Sequence, residues 1–186
     1  MRFNVLSWNV RGINDPQKRK EALNTALFSH ADIICLQETW LSPDNLTNDE
    51  IWKGPQMWSC DDNQQRHAGV AFLCKKWIAK LNPRFREIIP GRCISLDIQI
   101  DGADTRIMTT YMSLQTAGSN TRIHEYELIS KEMESAKRMI ICGDFNALLD
   151  ASTEWSGSST RNDKPFVDWT IRHKLQDPGR RSILTL

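Results

Sequence analysis

Short, fully apolar runs alternating with amphipathic stretches predict an α/β protein with mixed strand connections. Three observations carry this. Ile33-Ile34-Cys35-Leu36 and Met139-Ile140-Ile141-Cys142 have no polar face and read as buried strands. Ile94, Leu96, Ile98 and Ile100 alternate strictly with their neighbours, the mark of a half-buried strand. Two longer segments between such runs carry apolar residues at helical spacing. The 186 residues are expected to form one domain, 1–186, long enough for a substantial core.

Taken in order, Phe3 to Asn9 is the first strand. Asp15-Pro16 then starts a helix, with a capping carboxylate followed by proline at the first helical position. Ala22, Leu23, Ala26 and Leu27 form one stripe, so Pro16 to Ser29 is a surface helix lying on a sheet. The strand Ile33 to Glu38 follows. Met57 to Cys60 and Gly69 to Cys74 read as neighbouring strands joined by the polar loop Asp61 to His67. After the alternating strand, Asp101-Gly102 signals a hairpin, and Arg106 to Tyr111 is the returning strand. Asn120 to Ala136 is helical, with Ile123, Tyr126, Ile129 and Met133 on one side. The strand ending at Gly143 comes next, and a short helix runs from about Lys164 to Lys174.

The net charge of +1 confines any nucleic-acid face to local clusters such as Lys18-Arg19-Lys20, Lys75-Lys76 and Arg84 with Arg86. A solvated charged surface explains each cluster equally well. The five cysteines include no Cys-x-x-Cys pair, and Cys35, Cys74, Cys93 and Cys142 lie in apolar runs. They read as small core residues in a reducing compartment rather than zinc ligands. No signal peptide or membrane-length apolar stretch is visible, so an intracellular location, nucleus or cytoplasm, is expected.

The chemistry concentrates where strands end. Gly143-Asp144-Phe145-Asn146 places a carboxylate and a carboxamide two residues apart, after a glycine that lets the chain turn. That pair suits a hard divalent cation and a phosphate. Trp8-Asn9-Val10-Arg11-Gly12 and Gln37-Glu38-Thr39-Trp40 end two other strands in the same manner.

In this order the three segments resemble the endonuclease/exonuclease/phosphatase superfamily. Asn9-Val10-Arg11-Gly12-Ile13-Asn14 with Lys18-Arg19-Lys20, Gln37-Glu38-Thr39-Trp40-Leu41, Gly69-Val70-Ala71-Phe72-Leu73 and Gly91-Arg92 resemble its LINE-type retrotransposon branch. The resemblance covers about residues 2–150, with a fainter continuation to Arg180. It implies a DNase I-like β-sandwich of two sheets flanked by helices. It also implies a Mg²⁺-dependent hydrolase, with Mn²⁺ as a substitute, that nicks DNA so that a downstream reverse transcriptase can prime. Arg11 stands where the repair endonucleases of the superfamily carry an aspartate, which points away from abasic-site repair.

The resemblance also assigns roles. Glu38 matches the main metal ligand and Asn9 the asparagine that supports it beside the metal. Tyr111 matches a tyrosine whose hydroxyl approaches the scissile phosphate. Asp144 matches the residue that orients or deprotonates the attacking water, and Asn146 a partner holding the phosphate. The superfamily closes with a Ser-Asp-His motif, which this sequence lacks. His30, His67, His124 and His173 read as surface or capping residues. The expectation is therefore a chain lacking the C-terminal closing strands, with an open sheet edge and impaired catalysis. Two other functions fit the same scaffold: a non-catalytic binding remnant, and a phosphatase acting on phosphoinositides or nucleotides.

Overall fold

Two parallel strand pairs, each joined through a helix, set the architecture of this computed structural model, which describes residues 2–45, 52–61, 68–114, 120–136, 138–147 and 163–176. The chain divides into two compact units, Met1–Phe145 and Asn146–Leu186.

In the first unit, β1 (Val5–Asn9), β2 (Ile33–Gln37), β3 (Gln56–Ser59) and β4 (Val70–Cys74) form one sheet in the order β1-β2-β4-β3. β5 (Arg84–Ile89), β6 (Cys93–Ile100), β7 (Ala103–Tyr111) and β8 (Arg138–Asp144) form the other, in chain order. β1 and β2 are parallel and are connected by α1 (Pro16–Phe28). β7 and β8 are parallel and are connected by α2 (Thr121–Met133). All other pairings are antiparallel. Parallel neighbours need such crossovers, whereas hairpins suffice elsewhere.

The two sheets face each other through Ile33, Cys35, Val70, Phe72 and Cys74 on one side and Ile94, Leu96, Ile98, Ile100 and Ile107 on the other. The opposite face of the first sheet, with Ile34, Leu36, Ala71 and Leu73, is covered by Ala22, Leu23 and Ala26 of α1. β2 and β4 are thus buried on both faces, which explains their unbroken apolar sequences. Asp15 caps α1 by accepting from the Lys18 backbone N at 2.9 Å.

Several expectations change in detail. Leu27 does not share the α1 stripe but is exposed, as is the neighbouring Phe28. On α2, Ile123 is 49% exposed, and the buried face is Arg122, Glu125, Tyr126, Ile129 and Met133. β6 keeps the expected alternation only in its second half, where buried Ile98 and Ile100 flank exposed Gln99. Cys93 to Leu96 are all buried, because α2 also covers the face carrying Asp97, where Arg106 bonds to both Asp97 and the Glu132 carbonyl. β5 was not legible as a strand, since Phe85 is the sole apolar residue in its first four. The hairpin signal holds: Asp101 and Gly102 take φ of 49° and 76° between β6 and β7.

In the second unit, α3 (Lys164–Arg172) starts at Asp163, whose carboxylate accepts from the Phe166 backbone N at 3.3 Å. Phe166 and Trp169 are buried and stacked, with ring centroids 6.2 Å apart. His67 and the tail from Arg180 lie outside the described residues. Among those residues, no helix is long and apolar enough to cross a membrane.

Candidate active site

Each parallel pair delivers both of its C-terminal ends to one edge of its sheet. Asn9 stands in register with Gln37, and Tyr111 with Asp144. The Asn9 carboxamide joins the two edges. Its Nδ2 donates to Glu38 Oε1 at 2.7 Å and to Asp144 Oδ2 at 2.9 Å. Its Oδ1 accepts from the Arg11 backbone N at 3.1 Å, which fixes the orientation of the amide. Three expected site residues, distant in sequence and drawn from both sheets, therefore share one hydrogen-bonded group.

Glu38 sits one residue past β2 with φ of 54°, a left-handed conformation that a glutamate adopts only when its surroundings impose it. Those surroundings are backbone. Gly12 N donates to Glu38 O at 2.7 Å and Ile13 N to Thr39 O at 2.9 Å. On the other side, Thr39 N donates to Gly69 O at 3.1 Å and Trp40 N to Ala68 O at 2.9 Å. Gly12 is required sterically: with φ of 85°, a Cβ there would lie 2.1 Å from the Trp40 ring. Left-handed non-glycine residues gather at these strand ends, with Arg11, Glu38, Trp40 and Asn146 among them.

The second-sheet edge also has backbone bonds. Met112 N donates to Asp144 O at 2.9 Å, and Tyr111 N to Arg92 O at 2.8 Å. The Arg92 guanidinium stands 5.0 Å from the Tyr111 ring centroid, over a largely buried ring. Asn146 follows two residues after Asp144 with φ of 45° and opens the second unit. Between the sheets, buried Gln37 accepts from Ser7 Oγ at 3.3 Å and donates to Thr109 Oγ1 at 2.9 Å.

The donor chemistry bears on which cation the site could take. Glu38 and Asp144 offer hard carboxylate oxygens, and among the described residues no cluster of three or more His, Cys, Asp or Glu could hold a metal ion. The hard carboxylate oxygens fit an ion such as Mg²⁺, which keeps most of its waters and needs one or two carboxylates. Burial pushes the Cys35 and Cys93 thiols well up and that of Cys74 up to about 12, while a hydrogen bond from Cys35 lowers that of Cys142. None of the cysteines is in a disulfide.

His124 is largely exposed beside Glu127, and His173 caps α3. Sequence reasoning overlooked Arg122 and Glu125, whose side chains reach the loops after β8 and β7. The available signal was two charges lying on the buried helical face of Tyr126 and Ile129.

A family profile described as Endonuclease/Exonuclease/phosphatase family matches residues 6–181. A DNA-(apurinic or apyrimidinic site) endonuclease of Dictyostelium discoideum is 26% identical over 194 residues, covering 91% of this chain and 48% of that protein. The chain thus spans about half the length of that relative. Among solved structures, a 3′-5′ exonuclease (NExo) from Neisseria meningitidis superposes with a TM-score of 0.63 at 18% identity, over 90% of this chain and 68% of the other. The endonuclease domain of TRAS1, a telomere-specific non-LTR retrotransposon, does so with a TM-score of 0.60 at 16% identity, over 92% and 71%. These likenesses bear out the two-sheet, DNase I-like fold.

Proposed function

This chain belongs to the endonuclease/exonuclease/phosphatase family, and we propose that it is a Mg²⁺-dependent phosphodiester hydrolase, specifically a LINE-type DNA-nicking endonuclease domain spanning 1–186. The observation that carries the proposal is the Asn9 carboxamide linking the Glu38 and Asp144 carboxylates at 2.7 and 2.9 Å. A scaffold kept only for binding has no need to hold two carboxylates together, one of them on a left-handed residue at a strand end.

In this reading Glu38, with Asn9 beside it, holds the cation. Mg²⁺, or Mn²⁺ in its place, supplies a Lewis acid that offsets charge on the non-bridging phosphate oxygens. Asp144 orients the attacking water and takes its proton. Asn9 keeps both carboxylates in place by donating to each. The Tyr111 hydroxyl and the Asn146 carboxamide contact the phosphate. DNA is the partner through its phosphate backbone, with Lys18-Arg19-Lys20 as a local basic contact and a reverse transcriptase in a longer parent as the downstream user of the nick. A location in the nucleus or cytoplasm accompanies this role.

A second reading, cleavage at abasic sites, is favoured by the name of the Dictyostelium relative. Arg11 in place of the repair enzymes' aspartate weighs against it. The experiment is a three-substrate comparison with Mg²⁺: supercoiled plasmid, an oligonucleotide with a stable abasic analogue, and inositol phosphates. Relaxation of intact plasmid supports the proposal. Incision of the abasic strand alone supports the second reading, release of inorganic phosphate supports a phosphatase, and inertness on all three leaves a binding remnant.

A further inference from the structure

We infer that Arg122 and Glu125 are positioning residues, two buried opposite charges on α2 that fix where Tyr111 and Asp144 stand relative to each other. The inference rests on the hydrolase reading above and extends it to residues outside the strand ends.

Both side chains lie on one helix face, three residues apart, and are only 5% and 3% exposed. Charges are rarely placed there, because burial is costly unless strong hydrogen bonds compensate. Each charge has such a bond, and each bond reaches a loop that leaves a candidate catalytic strand. The Glu125 carboxylate accepts from Ser113 N at 3.0 Å and from Ser113 Oγ at 2.5 Å, two residues beyond Tyr111. The Arg122 guanidinium donates to the Phe145 carbonyl at 3.2 Å, one residue beyond Asp144, and to the Tyr126 hydroxyl at 2.7 Å. The loops themselves share one backbone bond, from Met112 N to Asp144 O. One helix turn therefore holds both strand ends by charged side chains, and the Met112–Asp144 bond lies between the two grips.

The consequence is that α2 sets a catalytic distance without touching substrate. Misplacing reacting groups by about 1 Å can cost a factor of about 10² in rate. The positioning role thus predicts a loss confined to turnover.

The test uses the full chain with Arg122→Met and Glu125→Leu, the conservative Arg122→Lys and Glu125→Gln, and Ser113→Ala as a milder cut of the same contact. Amide hydrogen exchange is read at Met112 and Ser113 and at the central strand β6. Plasmid nicking gives kcat and KM. Arg122→Met and Glu125→Leu should speed exchange at Met112 and Ser113 by about tenfold or more while β6 stays protected. They should also lower kcat by about 10- to 100-fold at constant KM. Arg122→Lys and Glu125→Gln should recover part of both losses. Uniform acceleration across β6, or unchanged exchange and kcat, would overturn the inference. If Glu125→Leu fails to fold, Ser113→Ala decides by the same two readings, and if Arg122→Met does, Arg122→Lys decides by them. If the wild-type chain nicks nothing, the hydrolase reading fails, and the exchange pattern still decides whether α2 holds the two strand ends.

Discussion

The two sheets reach the same site with different means of support. On the first, Glu38 is held by backbone: Gly12 and Ile13 on one side and Ala68 and Gly69 on the other bracket its turn. On the second, two backbone bonds, from Met112 to Asp144 and from Tyr111 to Arg92, are joined by side chains of α2 that grip the loops after Tyr111 and Asp144. Backbone support depends on little besides glycine, so most substitutions around Glu38 leave its position intact. Side-chain support is lost one residue at a time. The first edge should therefore fail through chemistry or sterics, and the second by graded loosening.

The largest effect should come from Glu38→Ala, with loss of Mg²⁺ binding and a fall in nicking of roughly 10³-fold or more. Calorimetry showing unchanged metal affinity would remove Glu38 from the centre of the site. Asp144→Asn should lower the nicking rate by about 10² to 10⁴, the usual contribution of a general base, with metal affinity kept within a few-fold. An equal loss of metal affinity would instead make Asp144 a ligand. Gly12→Ala attacks the backbone bracket through the Trp40 ring and a left-handed φ, and should cost roughly 1–3 kcal/mol by denaturant unfolding. Unchanged stability would mean that the ring simply moves aside.

The smallest effect lies away from the site. Arg106 Nε and Nη2 grip the Asp97 carboxylate at 2.6 and 2.9 Å, and the Arg106 hydrogen bond holds that carboxyl below its ordinary value of 3.8. A depressed carboxyl stabilises the fold above the unfolded value and loses this contribution as pH falls through the lower folded value. Asp97→Asn should therefore cost about 1 kcal/mol at neutral pH, with a gap to wild type that closes below pH 3.8. Nicking should be untouched. A gap that widened on acidification would contradict the sign of the shift.

The sequence revealed those parts whose pattern is local. β2, β4 and the β6–β7 turn were readable because burial on both faces, or a pair of left-handed residues, leaves a signature within a few positions. Glu38 and Asp144 were readable because each follows an apolar run that ends abruptly, and Asn9 because it ends a strand in Trp-Asn-x-x-Gly. The structure brings these three together, although β8 is not the buried strand its apolar run predicts, with Ile140 exposed. β5 was hidden because it borders the sheet, where polar side chains suffice. The buried face of α2 departs from its apolar stripe at Ile123, because hydrophobicity alone does not decide burial on this helix. There, the burial of Arg122 and Glu125 is decided by bonds to loops far along the chain. Contacts of that kind have no local signature.

The orientation of Asn9 carries a consequence for how the protein ages. Its amide nitrogen gives both hydrogens to carboxylates, and its oxygen already accepts from Arg11. Deamidation to aspartate would exchange that nitrogen for oxygen with scarcely any change of shape, and the isoaspartate formed alongside it would also reroute the backbone. Two attractions would become repulsions, and three anionic groups would crowd one point. An old preparation could then keep its fold and its mass to within a dalton or so, yet hold a site forced open from the inside.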